Sequence, residues 1–391
     1  MGKMRLFIFS GEHPANLQHV RTVVDSLDDD DEYVLCVGKK FPTKETFEYN
    51  RGLVGFLQRV SAKLGYSKNN FVSEDYEWEW RSKSRKQDWK QLCKPIKSNL
   101  PWTPDLVIVV TPNQGHTKSH IVPWCNINCI PVVSIDHGMP TVRWPWLDYR
   151  GSMMGCDANA VWSEVNREIN IEVGAPKNLQ IITGSPSIDM IAEDNGLDPR
   201  EELGISEGRK IILLLGSHRA EIKQSNDRVF RKIIDTYSTN SQFSIVYKPH
   251  PVEMSNSEEL KVPRTVVVTT SQELYIPLIR SAHAIISTPT SVITPALAFY
   301  RPFVNTLSRD CGVVSGDEVE KLENLLGSAV FPISKVHEVI MGTTTVNHNA
   351  CDEAFERFGY KRDGRNGERV ASLSRWIADG GAPADWEDKI D

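Results

Sequence analysis

Residues 104–112 read PDLVIVVTP, a continuous apolar run between two prolines. A run of this length and composition is typical of a strand buried on both faces of a parallel sheet. RLFIFS (residues 5–10) and IPVVSIDHG (residues 130–138) have the same character. Because helix-compatible stretches separate these runs, the alternation predicts a doubly wound parallel α/β sheet.

The second half of the chain repeats this alternation. Residues 190–208 are polar and rich in turn formers, and the apolar run KIILLLGSH then begins at Lys210. Because 391 residues exceed what one hydrophobic core usually organises, we predict two Rossmann-like domains, at 1–190 and 209–365, followed by a C-terminal helix and tail at 366–391. Ligands of such sheets bind beyond the carboxyl ends of the strands, so we expect an interdomain cleft to hold the site.

Composition excludes several classes of protein. Apolar residues make up 40% of the chain, charged residues make up 25%, and the net charge is -6, which together exclude disorder, collagen and coiled coil. This charge gives no global reason to bind nucleic acid. The chain contains no long apolar run and begins with no secretory segment, which predicts a cytoplasmic protein.

The seven cysteines form no CxxC motif, so they indicate neither a disulfide framework nor a zinc ribbon. Cys125 and Cys129 have the spacing of one helix face, yet no nearby Cys/His pair completes a tetrahedral site. We therefore expect no metal.

The segment Lys40–Leu100 departs from the strand and helix pattern, with thirteen Lys/Arg against seven Asp/Glu and three tryptophans. It has three interpretations. The first is an ordinary helical insertion with a solvated face. The second is a surface for an anionic acceptor or for peripheral membrane contact, because residues 52–65 can form a short basic amphipathic helix. The third is a nucleic-acid surface.

The first candidate site segment is DHGMP (residues 136–140), which follows a predicted strand. Asp136 and His137 are candidate general bases, and Gly138 permits close approach of the backbone to a ligand. Because adjacent residues of an extended chain point in opposite directions, we expect one of the two to face the substrate. The alternative is a helix cap with a hydrogen-bonded loop histidine.

The second candidate segment is YKPHP (residues 247–251). The prolines on either side of His250 restrict the backbone and hold its imidazole in a rigid loop. A protonated His250 could donate to a leaving phosphate, with Lys248 adding positive charge. The alternative is a purely structural turn.

The third candidate segment is STPTSV (residues 287–292), where hydroxyl groups collect before a predicted helix that starts near Ser291. The N-terminus of a helix favours an anion, although such hydroxyls also serve as ordinary N-caps. GSHR (residues 216–219) provides a similar turn, in which Arg219 could bind phosphate or carboxylate.

These motifs occur in an order that resembles a known group of enzymes. The chain resembles the GT-B glycosyltransferases over about residues 130–369. The motifs that carry this resemblance are HG(x)P, GSPSID (residues 184–189), KPHP and a Ser/Thr pair before ALAFYRP. The closest resemblance is to the group with bacterial sialyl- and Kdo-transferases and CDP-glycerol glycerophosphotransferases. It implies a GT-B fold with an acceptor domain followed by a nucleotide-donor domain.

The resemblance also implies roles for individual residues. His250 would assist departure of the nucleotide phosphate. The base would be Asp136 by the sialyltransferase pattern and His137 by the glycerophosphotransferase pattern. Many GT-B enzymes place a base or a donor contact after the first strand, where this chain has Glu12 and His13, with helix capping as the alternative. The donor-binding set predicted overall is Gly216, Ser217, Arg219, Lys248, Ser287, Thr288, Thr290 and Ser291.

The function predicted from these residues is transfer of a sugar from a CMP- or UDP-sugar to an acceptor hydroxyl of a surface glycan or lipid-linked acceptor. Displacement would be inverting and independent of metal, with no cofactor. One rival is transfer of glycerol phosphate or ribitol phosphate from a CDP-polyol. Another is nucleotide-sugar 2-epimerisation, which would need further acidic residues around the HG loop. The non-enzymatic rival is a scaffold or nucleic-acid-binding protein.

Overall fold

The structure is a computed structural model. It describes residues 3–11, 18–37, 102–110, 118–138, 140–142, 155–192, 196–217, 220–250, 262–307 and 314–390. Four predictions from the sequence lie outside these residues: those for Glu12, for His13, for Arg219 and for the whole of Lys40–Leu100.

The described elements alternate along the chain, as a doubly wound fold requires. The strands are β1 (Arg5–Gly11), β2 (Glu32–Val37), β3 (Leu106–Val110), β4 (Val132–Ile135), β5 (Ala158–Val161), β6 (Gln180–Ile182), β7 (Lys210–Leu215), β8 (Phe243–Lys248), β9 (Val267–Val268), β10 (Ala282–Ser287), β11 (Phe303–Asn305) and β12 (Phe331–Pro332). The helices are α1 (Gln18–Asp25), α2 (Lys118–Ile127), α3 (Glu164–Glu172), α4 (Pro199–Glu202), α5 (Ala220–Tyr237), α6 (Tyr275–Ser281), α7 (Ile293–Ala298), α8 (Gly316–Leu326), α9 (Val336–Met341), α10 (His348–Gly359) and α11 (Asn366–Ala378).

The strands form two six-stranded sheets in which every pairing is parallel. Their orders are β2-β1-β3-β4-β5-β6 and β12-β11-β10-β7-β8-β9. The first unit comprises Met1–His137, Asp148–Asp189 and Asp363–Asp391, and the second comprises Gly138–Leu147 and Met190–Arg362. The predicted class of two Rossmann-like parallel sheets is therefore confirmed.

Both faces of the first sheet are buried. Leu6 and Ile8 of β1 pack with helices α1 and α11, whereas Phe7 and Phe9 pack on the opposite face with α2. This division follows from the two-residue period of a strand and explains why the sequence shows continuous apolar runs instead of alternation.

The second sheet is covered in the same way, and residues 196–208 take part. Ile212 and Leu214 face one cluster with α5 and α9, while Ile211 and Leu213 face another. Apolar side chains from the polar stretch at 190–208 pack into this second cluster, namely Leu197, Leu203 and Ile205. The stretch is therefore part of the second unit, because its few apolar residues cover the sheet.

The C-terminal helix α11 packs in the first unit. The backbone N–H groups of Asn366 and Gly367 donate to the two carboxylate oxygens of Asp189, at 3.0 and 2.7 Å. A Cβ at Gly367 would lie 2.3 Å from Thr22 Oγ1, and a Cβ at Gly184 (φ +76°) would lie 1.9 Å from Asn366 Oδ1. GSPSID therefore anchors α11, because its glycine and aspartate accommodate and cap the start of this helix.

Arg369 of α11 is completely buried and bonds two carboxylates. Its Nε donates to Asp388 at 2.7 Å, and its Nη1 donates to Asp363 at 2.9 Å. The guanidinium thereby joins the two ends of the C-terminal segment. The charged guanidinium can remain buried because it is paired with both carboxylates.

We expect Arg369→Met to lower the free energy of unfolding by about 3 kcal/mol, because Asp363 and Asp388 would lose their common cation. Urea denaturation measures the change. Lys389→Met is the control, since Lys389 is 81% exposed beside Glu387, and it should change stability by less than about 0.5 kcal/mol. Equal effects of the two substitutions would contradict the structural role of Arg369.

Candidate functional site

Asp136 follows β4 directly and is 7% exposed at the carboxyl edge of the first sheet. Its Oδ2 accepts a hydrogen bond from Asn170 Nδ2 at 3.2 Å, and its backbone carbonyl accepts one from Trp162 Nε1 at 2.9 Å. The same Asn170 amide nitrogen lies 3.2 Å from Gln180 Oε1. The acceptors Asp136 and Gln180 therefore fix the orientation of the Asn170 amide, which presents its NH₂ group to Asp136 as a donor.

Burial raises the pKa of Asp136 to about 7, although the hydrogen bond from Asn170 acts in the opposite direction. Desolvation disfavours the charged carboxylate, and the amides of Asn170 and Asn166 compensate for part of that cost. A carboxyl group with this pKa can accept and release a proton near neutral pH, as a general acid or base must.

Two histidines lie at the same edge of the first sheet. His137 follows Asp136, and its ring centroid is 5.5 Å from that of His19 on α1. The His19 ring is 3% exposed, lies 5.8 Å from Trp162, and has its Nδ1 3.3 Å from Ser185 Oγ. The imidazoles of His19 and His137 therefore lie together, and Asp136 directly precedes His137 at the same edge of the sheet.

The chain passes into the second unit immediately after His137, because 138–147 are grouped with that unit. The buried hydroxyl of Thr141 donates to the backbone carbonyl of Pro289 in the STPTSV segment. The residue that follows DHGMP is thus bonded to the STPTSV segment within the second unit.

The hydroxyls of Ser287 and Thr288, which we predicted to hold phosphate, bond inside the second unit. Ser287 Oγ donates to the backbone carbonyl of Leu215 at 3.1 Å. Thr288 Oγ1 donates to Asn226 Oδ1 at 2.9 Å and lies 3.0 Å from Thr306 Oγ1. Both side chains are almost completely buried, so in this structure they stabilise the carboxyl edge.

The helix after STPTSV begins at Ile293, two residues beyond the predicted start near Ser291, and is six residues long. No side chain caps its N-terminus, and Thr290 and Ser291 use their backbone carbonyls to accept from Ile293 and Thr294. Thr290 and Ser291 are half-buried. They are the members of the Ser/Thr group that retain exposed surface.

Lys248 is the last residue of β8 and is 4% exposed. Among the described residues, its Nζ has no hydrogen-bond partner. Burial lowers the pKa of Lys248 to about 8, because the charged ammonium group is disfavoured away from water.

Three other predicted residues follow the carboxyl ends of β7 and β8. His250 is half-buried two residues beyond β8. Gly216 and Ser217 follow β7, and the Gly216 N–H donates to the Lys248 carbonyl at 3.0 Å. The structure therefore places the predicted residues in two groups: Asp136 and His137 at the first sheet, and the remaining described ones at the second.

Sequence reasoning missed His19, Asn170 and Asn226. His19 could have been found by asking which side chains on α1 follow the carboxyl end of β1, the rule applied to the other segments. Asn170 and Asn226 lie within helices, where an isolated asparagine shows no local pattern. Their partners, Asp136 and Thr288, are 34 and 62 residues away along the chain.

The described residues contain no group of three or more His, Cys, Asp or Glu able to hold a metal ion. Cys125 is buried on α2, whereas Cys129 lies beyond the end of the helix and is exposed, so the two do not share a helix face. No helix in the described part of the chain has the length and apolar character needed to span a membrane.

No protein-family model and no curated protein sequence matches the chain. Solved structures do match it over nearly its whole length. MnaA from S. aureus, in a co-structure with UDP, is 13% identical with a TM-score of 0.61, covering 98% of this chain and 100% of that one. The chain has a GT-B-type fold.

Two further neighbours are UDP-GlcNAc 2-epimerases. The enzyme from Neisseria meningitidis, bound to UDP-GlcNAc, is 14% identical with a TM-score of 0.56, covering 94% of this chain and 98% of that one. The enzyme from Methanocaldococcus jannaschii, in complex with UDP-GlcNAc and UDP, is 14% identical with a TM-score of 0.56, covering 95% and 100%. These likenesses establish the GT-B fold and do not support the narrower group of sialyl-, Kdo- and CDP-glycerol transferases. The interdomain cleft stays a prediction.

We expect Asp136→Asn to remove a pH-dependent stability term. The folded-state pKa of about 7 lies above the ordinary aspartate pKa of 3.8, so this carboxyl contributes stability below about pH 4 and loses that contribution as the pH rises through 7. The stability of the variant relative to wild type should therefore increase between pH 4 and pH 7, by on the order of 4 kcal/mol.

Urea denaturation at several pH values measures this difference for Asp136. Asp379→Asn, at an exposed position of the same unit, is the control and should give a flat difference. Parallel curves for wild type and Asp136→Asn would show that this carboxyl titrates normally.

We expect Lys248→Met to stabilise the ligand-free protein at pH 7. The folded-state pKa of about 8 lies below 10.5, so this amine contributes stability above about pH 10.5 and loses it as the pH falls through 8. The gain should be about 3 kcal/mol at pH 7 and should disappear toward pH 10.5.

Denaturation curves at pH 7 and above test the Lys248 prediction, with Lys232→Met on the exposed face of α5 as the control. A variant at position 248 that is less stable than wild type at pH 7 would mean that the ammonium is paired in the protein.

Proposed function

We propose that this protein acts on a nucleotide-activated sugar of the UDP-GlcNAc type and inverts the configuration at C2. The observation that carries the proposal is the group of three proton carriers, Asp136, His137 and His19, at one edge of the first sheet. The solved structures of UDP-GlcNAc 2-epimerases, which share the fold over nearly the whole chain, support the choice of substrate.

The number of proton carriers distinguishes the two main reactions. Sugar transfer requires one base, which removes the proton of the acceptor hydroxyl. Inversion at C2 requires a proton to leave one face of the sugar and a proton to return to the other face, so two groups must exchange protons with C2. The sequence favoured transfer because no further acidic residue flanks the HG loop. The structure adds His19, an imidazole that can provide the second group without a carboxylate.

The proposed reaction balances without an added reactant. A base takes the C2 proton as the bond between C1 and the nucleotide oxygen breaks, which leaves an unsaturated sugar and the nucleotide. The nucleotide oxygen then adds back to C1 while an acid returns a proton to the opposite face of C2. We assign the base to Asp136, since its raised pKa matches proton abstraction near neutral pH, and the returning proton to an imidazole.

Exchange of deuterium at C2 tests this proposal. The full chain is incubated with UDP-GlcNAc in D₂O, and proton NMR follows both deuterium at C2 and formation of the C2 epimer. We expect both in the wild type. We expect Asp136→Asn to slow them by about 10²–10⁴-fold, the usual contribution of a general base, while Asp379→Asn stays at the wild-type rate.

The other predicted functions give different results. Release of UDP that requires an added acceptor hydroxyl, with no deuterium at C2, would establish glycosyl transfer instead. A thermal-shift panel of CMP, CDP, UDP and GDP separates the donors: preference for CMP favours a sialic-acid or Kdo donor, and preference for CDP favours polyol phosphate transfer. Retention on heparin or DNA with no shift by any nucleotide would favour the non-enzymatic alternative.

A further inference from the structure

Lys248 lies where the second sheet presents its carboxyl edge. It pairs in register with Leu215, the last residue of β7, and its carbonyl accepts from the Gly216 N–H at 3.0 Å. The backbone of Lys248 therefore closes the turn that leaves β7. Its side chain begins at the same edge, between the centre of the sheet and the short strand β9.

Three other buried polar side chains at this edge have partners. Ser287 bonds the Leu215 carbonyl, Thr288 bonds Asn226 and Thr306, and Asn305 Oδ1 accepts from the Leu307 N–H at 2.7 Å. Lys248 differs from them because its Nζ is buried and, among the described residues, has no hydrogen-bond partner.

The groups around Lys248 do not supply a counter-charge. Its Nζ lies 6.0 Å from the centroid of the Tyr275 ring on α6, a phenol whose pKa is raised by burial and which is therefore neutral. His250, the other titratable group nearby along the chain, is two residues away and carries no negative charge. Burial is the cause of the lowered Lys248 pKa, and no described acidic side chain opposes it.

We propose that the ammonium group of Lys248 binds a phosphoryl group of the nucleotide, which supplies the negative charge that the described part of the second unit does not place beside Nζ. This inference rests on the proposed function for the identity of the ligand. It deepens that function by naming the cation for the phosphate and by making binding depend on protonation. An ammonium group is a compact charge with three donors, which suits phosphoryl oxygens.

Binding should therefore take up a proton. At about pH 8 a substantial fraction of Lys248 is neutral in the free protein, since its pKa is about 8. A phosphoryl anion beside Nζ favours the charged form and raises this pKa, so the complex holds more protonated Lys248 than the free protein. The same ligand without phosphate should bind with no such uptake.

Calorimetric titration of the full chain provides the test. UDP, uridine and inorganic pyrophosphate are titrated at pH 8.5 in two buffers of different ionisation enthalpy, against wild type, Lys248→Met and the control Lys232→Met. We expect Lys248→Met to weaken UDP and pyrophosphate binding by about 10- to 100-fold, the usual effect of losing a charged hydrogen bond, and to leave uridine binding unchanged. We expect proton uptake with UDP in wild type and in Lys232→Met, and none in Lys248→Met.

The outcomes separate this inference from the proposed function. If UDP binds wild type and Lys248→Met equally, or if UDP and uridine weaken together, the role of Lys248 is wrong and nucleotide binding stands. If pyrophosphate binds through Lys248 while CMP, CDP, UDP and GDP all bind no better than pyrophosphate, the anion site stands and the proposed substrate is wrong. If neither pyrophosphate nor any of these nucleotides binds, both are wrong.

Discussion

A parallel sheet covered by helices on both faces leaves its carboxyl edge as the place where polar side chains can reach a ligand. Both units of this protein are built under that constraint, since alternate residues of β1 and β7 are buried on opposite faces. The polar residues that follow β4 and end β8 are consequently held at the border of an apolar interior. Asp136 and Lys248 owe their chemical character to this position.

Burial shifts the pKa values of these two groups in opposite directions, and in both cases it favours the neutral form. Desolvation raises the pKa of the Asp136 carboxyl to about 7 and lowers that of the Lys248 amine to about 8, because the charged form is disfavoured in each case. An acid and an amine that would otherwise be fully ionised at neutral pH thus become able to exchange protons there. The Asp136 carboxyl has a fixed amide donor, Asn170, which favours its charged form. The Lys248 amine has no hydrogen-bond partner among the described residues.

The central strands could be predicted well because they are short apolar runs that lie inside the sheet. Local helix signals were less reliable: α7 begins at Ile293, whereas the sequence suggested a helix that starts near Ser291 with a phosphate-binding N-terminus. The motif GSPSID contributed to the resemblance to glycosyltransferases, but in the structure its residues Asp189 and Gly184 support the packing of α11. Ser287 and Thr288 resemble phosphate ligands in sequence, yet their hydroxyls bond Leu215 and Asn226. Such partners lie 60 to 180 residues away, beyond the reach of any local pattern.

The sequence predicts the doubly wound class, the two sheets and the position of DHG and KPH at the ends of buried strands, because hydrophobic period and strand ends are local properties of the chain. The tertiary structure decided which of these polar residues are buried, which are paired and which meet. It brought His19 beside His137, oriented Asn170 toward Asp136 and left Lys248 without a described partner. Desolvation and hydrogen bonding depend on neighbours supplied by distant segments, so the chemistry of the site emerges only when the chain has folded.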